Sequence, residues 1–305
     1  MKFIHIITAI SILLTTGCTH KLATSSATPL NREVKDNNGN IILLGKSTRD
    51  RLAQPPFNTW FDKYYTDYAI DSNTANQLKP LVKHKRFLIF MGTWCGDSRR
   101  EVPRMYKLLD YLGVPPSQVQ LINVNNHDSA YKQSPGHEEK GLNIHRVPDM
   151  LIYDGSRELG RVVESPVISW EKDVFAILNR LAYQPRYKAV PKVISIWQQY
   201  SLAQIQNNLP HIADTLKPLA TNRGELLSYG KILLALEETE KALLVMELNT
   251  LLFKADAEVW NGLAAACLKK GNKNKAVECY QKAISLQADN ATATSMLRQL
   301  NSSPR

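Results

Sequence analysis

Cys95 lies in the stretch Gly92-Thr93-Trp94-Cys95-Gly96-Asp97-Ser98-Arg99-Arg100, between an apolar run and a helical one. A thiol on the turn from a buried strand into a helix is placed for nucleophilic chemistry. Free backbone N–H groups and the helix dipole favour the thiolate over the thiol. Arg99 and Arg100 add positive charge within a turn of it, and Trp94 can shield one side of the sulfur. Ser98, three positions on, can donate a hydrogen bond to the thiolate. Asp97 suits either a proton shuttle or simply the positive end of the helix dipole. Such a thiol attacks disulfides or is oxidised to a sulfenic acid. With no second thiol in the motif, a mixed disulfide would have to be resolved by an external thiol.

The elements that hold this turn can be read on either side of it. Arg86 to Met91 is a buried strand, with Phe87, Leu88, Ile89, Phe90 and Met91 all apolar. A helix begins near Ser98 and runs to about Leu112, and Pro103 inside it should kink it. Gln118 to Val124 forms a second strand. Met150 to Tyr153 and Glu158 to Val163 pair as a hairpin across Asp154-Gly155, followed by a helix over Trp170 to Leu181. Upstream, Phe57, Trp60, Phe61, Tyr64, Tyr65 and Tyr68 fall on one face of a helix that Asn58 can cap. A second hairpin is signalled by Asn37-Asn38-Gly39-Asn40 between Glu33-Val34-Lys35 and Ile41 to Leu44.

The apolar strand, Trp94-Cys95-Gly96-Asp97, the helix with Pro103, and Val147-Pro148 opening a hairpin together resemble a thioredoxin-like domain. The resemblance runs from about Leu81 to Leu181 and implies an α/β thioredoxin fold, a mixed sheet with flanking helices. It also implies a cis-proline at Pro148 facing the cysteine, with Val147 offering backbone groups to an extended client. Two positions depart from the family. Ser98 stands where the resolving cysteine belongs, and Ile89, six residues before Cys95, stands where the family buries an aspartate. The resemblance therefore implies a monothiol thiol–disulfide oxidoreductase with protein clients and no cofactor. Cys95, Ser98, Trp94 and Pro148 are its candidate catalytic residues, and Val147, Asp97 and Arg99 its client contacts. The competing expectation is a relic whose cysteine is inert, serving as a non-catalytic adaptor. His127, His137 and His145 precede Pro148 at no spacing that matches a metal signature, so no metal is expected. Pro135 to Glu139 reads as an exposed loop.

Gln184-Pro185 and Pro191 mark a boundary, and Lys192 to Asn208 is expected as one helix stopped before Pro210. Beyond it, Leu226, Tyr229, Gly230, Ala242 and Met246 recur 34 positions later as Trp260, Leu263, Ala264, Ala276 and Tyr280. With Gly271 and Ala283 this resembles a tetratricopeptide repeat, an all-α unit implying a protein partner. Cys267 replaces the family's tyrosine and Ala288 its proline. Cys267 and Cys279 read as two small buried thiols, with a disulfide between them the alternative.

At the N-terminus, Lys2 precedes an apolar run from Phe3 to Leu14, too short to span a bilayer but suited to a secretion signal. Leu14-Thr15-Thr16-Gly17-Cys18 resembles a bacterial lipoprotein box, implying lipidation of Cys18 and a membrane anchor; an ordinary cleaved signal is the alternative. The resulting location is the cell envelope, as an outer membrane lipoprotein facing the periplasm. The expected organisation is signal 1–17, tether and hairpin 18–55, thioredoxin-like domain 56–183, linker and helix 184–222, and repeats 223–305. The net charge of +10 over 305 residues includes no long Lys/Arg run, so the excess is read as a solvated surface and not a nucleic-acid site.

Overall fold

The computed structural model describes residues 29–302; the signal, Cys18 and most of the tether lie outside them. The first hairpin joins β1 (Arg32–Lys35) to β2 (Ile41–Ser47), with Arg32 opposite Leu44. The Asp36 carboxylate holds the turn by accepting the N–H groups of Asn38 and Asn40, each at 2.9 Å. Helix α1 (Arg49–Leu52) is capped by Thr48, and α2 (Asn58–Asp67) carries the aromatic stripe. Asn58 does not cap α2. It is the first helical residue, and Phe57 holds the cap position because its N–H is already bonded to Gln54 O at 2.9 Å. Helix α3 (Ser72–Leu78), capped by the Asp71 carboxylate, has no apolar period that would announce it.

Next come β3 (Lys85–Met91), α4 (Gly96–Tyr111), β4 (Val119–Asn123), β5 (Asp149–Asp154), β6 (Arg157–Val163) and α5 (Trp170–Leu178). The strands form one mixed six-stranded sheet in the order β1-β2-β4-β3-β5-β6. Central β3 pairs parallel with β4 (Ile89 opposite Leu121) and antiparallel with β5 (Ile89 opposite Met150). The hairpin, grouped by sequence with the tether before residue 56, is part of this sheet, because β2 pairs antiparallel with β4.

Both faces of the sheet are covered, which is why β3 reads as an unbroken apolar run. Phe87, Ile89 and Met91 face α2, α4 and α5, packing with Phe61, Met105, Leu108 and Trp170. Leu88 and Phe90 face the other way, with Ile122, Leu151, Ile144 and Val147. Of the aromatic stripe, Phe57 and Phe61 are buried, and the Phe61 ring lies 6.2 Å from that of Tyr106 on α4. Pro103 sits inside α4. Helix α5 stops before Leu181 because Arg180 takes φ 55°, and the N–H of Leu181 folds back to Ala176 O.

The rest is helical. Lys192 to Asn208, expected as one helix, is split into α6 (Ala189–Trp197) and α7 (Leu202–Asn207). Ser201 and Gln204 form a complete capping box that starts α7. Pro191 does not bound α6. It lies in that helix's first turn, where its missing N–H leaves no bond unmade. Helix α8 (Leu209–Leu216) has Pro210 as its second residue, in the first turn. Then α9 (Gly224–Ala235), α10 (Thr239–Leu252), α11 (Ala257–Lys269), α12 (Lys273–Leu286) and α13 (Ala291–Ser302) pack each against the next. A Cβ at Gly230 on α9 would overlap the Met246 side chain of α10, so glycine permits that approach. Cys267 and Cys279 are free, buried thiols on α11 and α12.

Candidate functional site at the start of helix α4

Cys95 is the N-cap residue of α4, extended at φ −88°, ψ 126°, so its thiol stands where the first turn leaves backbone N–H groups unpaired. The side chain is half-buried. Its Sγ–H points at Val147 O, 3.4 Å away, and the Val147-Pro148 peptide is cis. The turn is braced on several sides. Trp94 donates from Nε1 to Val124 O at 2.8 Å, and its ring lies 6.2 Å from that of Tyr131. A Cβ at Gly92 would collide with the Trp94 indole, so this ring position requires glycine there. Thr93 Oγ1 accepts the Leu43 N–H at 3.0 Å, and Thr93 O accepts Arg99 Nε at 2.6 Å.

The structure thus gathers Trp94, Cys95, Arg99, Val147 and Pro148 into one site, but it assigns Ser98 and Asp97 differently from the sequence. Ser98 is fully buried and its Oγ accepts the Gly92 N–H at 3.2 Å; no hydrogen bond joins it to Cys95. It ties the strand end to the helix start. Asp97 is held by Arg100 at 2.7 Å, and Arg100 also binds Glu101 at 2.7 Å, so Arg100 serves carboxylates and not the sulfur. Val147 O is engaged by the thiol, and Pro148 O accepts the Glu164 N–H at 2.6 Å. The Val147 N–H has no backbone partner among the described residues.

Ile89 is buried in the apolar core, yet a buried carboxyl does sit nearby. Asp149, directly after Pro148 and opposite Phe90, is fully buried. Burial pushes its carboxyl up to about 7, against the opposing pull of Arg161 at 3.3 Å. Glu101, also buried, accepts Trp170 Nε1 at 2.9 Å and pairs with Arg100 and Arg104.

A polar network behind the site has no counterpart in the sequence patterns. Lys132 is buried, and its Nζ donates to His145 O at 2.8 Å and to Ser228 Oγ of α9 at 2.7 Å. Ser228 Oγ donates to the same carbonyl at 2.8 Å. Burial pulls the Lys132 ammonium down to about 7, with Arg146 adding to the effect. His145 is buried, its Nδ1 3.1 Å from Asn143 O, and burial pulls it down to about 3, so the ring is neutral. Glu225 on α9 accepts the Val190 N–H at 2.7 Å, and burial pushes it up to about 7. The segment leading to Pro148 is therefore clamped onto the helical region. The other two histidines are apart from this: His127 Nδ1 contacts Ser129 Oγ at 2.8 Å, and exposed His137 lies 3.5 Å from Glu139. The Pro135 to Glu139 loop is only partly exposed, because Ser134 N donates to Glu139 at 3.0 Å and Ser134 Oγ to Glu138 at 2.6 Å.

No curated protein matches this chain. Residues 257–290, which hold α11 and α12, match the tetratricopeptide repeat, and so the C-terminal helical region carries a module of protein–protein interaction.

Proposed function

We propose that this chain is a thioredoxin-like protein of the monothiol type, which captures protein clients through Cys95 while its helical region holds a partner. The observation that carries this reading is the Cys95 thiol at the start of a 16-residue helix, 3.4 Å from Val147 O beside Pro148. The Cys95 thiolate attacks one sulfur of a client disulfide. The client S–S bond breaks, a Cys95–client S–S bond forms, and the other client sulfur leaves as a thiolate that takes a proton from solvent. Ser98 cannot reverse this, because its hydroxyl is a poor nucleophile towards sulfur and is committed to Gly92. An external thiol then attacks the mixed disulfide and regenerates Cys95. From sequence alone we place the protein in the cell envelope, anchored by lipid on Cys18 to the outer membrane and facing the periplasm; an unmodified N-terminus downstream of Cys18 in the mass spectrum overturns that placement.

A second reading, a non-catalytic adaptor, is favoured by the buried Ser98 and Ile89, which leave no resolving thiol and no acid at that position of β3. Affinity capture under non-reducing conditions separates the two. Thiol exchange predicts partners that co-migrate with the wild-type chain, are released by reductant and vanish in Cys95→Ser. An adaptor predicts the same partners with both proteins and none joined covalently.

A further inference from the structure

The sheet ends on two edges of different character. β1 is four residues long, whereas β6 is seven residues, contains no proline and has no strand on its outer side among the described residues. An uncovered edge of that length offers a row of backbone donors and acceptors to an added strand. A cleft of about 890 Å3 runs beside β6, walled on the far side by residues 183–195. Its charge is one-sided. Arg157, Arg180, Lys188 and Lys192 line it and make no ion pair among the described residues, and the one acidic residue in its lining, Glu158, is bound to Arg161 at 2.7 Å. His145 also lines the cleft, but it is buried and already engaged inward: its Nδ1 donates to the Asn143 carbonyl and its Nε2 faces Glu225 Oε1 at 4.0 Å.

We propose that the outer edge of β6 and this basic cleft dock an extended acidic segment of a partner protein, added to the sheet as a further strand. The strand's own N–H and C=O groups pair with the edge, and acidic side chains on the cleft side meet Arg157, Arg180, Lys188 and Lys192. Because Val163 of β6 is opposite Asp149, a segment seated here runs towards Pro148 and the Cys95 site. Nucleic acid would answer the charge but not the row of amide groups, so a peptide fits the surface better. The surface does not depend on the chemistry of Cys95.

The test is fluorescence anisotropy of the full chain with a labelled short peptide of alternating glutamate and valine. Saturable binding is expected in wild type and in Cys95→Ser alike. It should weaken about tenfold or more when ionic strength rises from about 0.01 to about 0.15 M, and by a similar factor in the double variant Arg157→Glu, Lys188→Glu. The matching lysine–valine peptide should not bind, and N-methylation of alternate amides in one of the two registers should abolish binding. No binding of the acidic peptide, equal binding of the lysine peptide, indifference to N-methylation in both registers, or tighter binding of a short oligonucleotide each overturns the proposal. The methylated peptides decide the question without any protein variant.

Discussion

Lys132→Met removes the ammonium that clamps the segment before Pro148 to α9. The lysine titrates at about 7 in the folded chain against an ordinary value of 10.5, because burial disfavours its charge. Between those values the unfolded chain holds a proton that the folded chain has released, so stability rises with pH. Each pH unit in that window is worth about 1.4 kcal/mol, hence roughly 3 kcal/mol of added stability from about pH 7 to about pH 9. Below about pH 7 both states are protonated and the lysine contributes no slope. Asp149 and Glu225 also titrate near 7, but they are common to wild type and variant and cancel in the difference between the two. The assay is chemical denaturation followed by tryptophan fluorescence at closely spaced pH values. The wild type should gain that stability and the methionine variant should not. Lys132→Arg, which cannot shed its proton, should be flat as well and less stable than wild type at about pH 9. Parallel pH profiles for wild type and Lys132→Met would refute the burial of a titrating ammonium at this contact.

Ser98→Cys should restore a two-thiol motif, lower the yield of trapped clients and raise activity in an insulin disulfide reduction assay; unchanged trapping and activity would count against mixed-disulfide chemistry at Cys95. In the folded protein, Cys95 should alkylate faster than Cys267 or Cys279, since the latter two are buried and burial pushes the Cys279 thiol up to about 12; equal rates in a labelling time course would remove the case for an activated thiol. Trp170→Phe strips from Glu101 Oε2 its one hydrogen-bond donor among the described residues and should cost about 1–3 kcal/mol in urea denaturation; a neutral substitution would mean that this carboxylate oxygen finds water.

The strands around the site were legible because their signals are local. Phe87 to Phe90 is an unbroken apolar run, and Asp154-Gly155 marks the turn of the second hairpin, so β3, β5 and β6 fall where expected. Where local signals compete, the expectation fails. Lys192 to Asn208 reads as one helix, but α6 ends at Trp197 and the Ser201–Gln204 capping box starts a new one. Cys95, Trp94, Val147 and Pro148 were legible as a set through their resemblance to a known arrangement, not through spacing, since Val147 lies 52 positions from Cys95. The Lys132 clamp was not legible at all. Its partner Ser228 is 96 residues away, and a lysine in a polar stretch has no pattern that marks it as buried. Ser98 was legible as a substitution, but its bond to Gly92 could be known only from the turn's geometry.

Under the proposed function, Cys95 alone forms mixed disulfides which the chain cannot resolve. Intact-mass measurement after incubation with oxidised glutathione, followed by peptide mapping, tests it most directly. A glutathione adduct is expected on Cys95 and none on Cys267 or Cys279, stable once excess reagent is removed and lost on adding dithiothreitol. A Cys95 that stays unmodified while an unstructured cysteine peptide reacts fully, or an adduct that is released without added thiol, would contradict it.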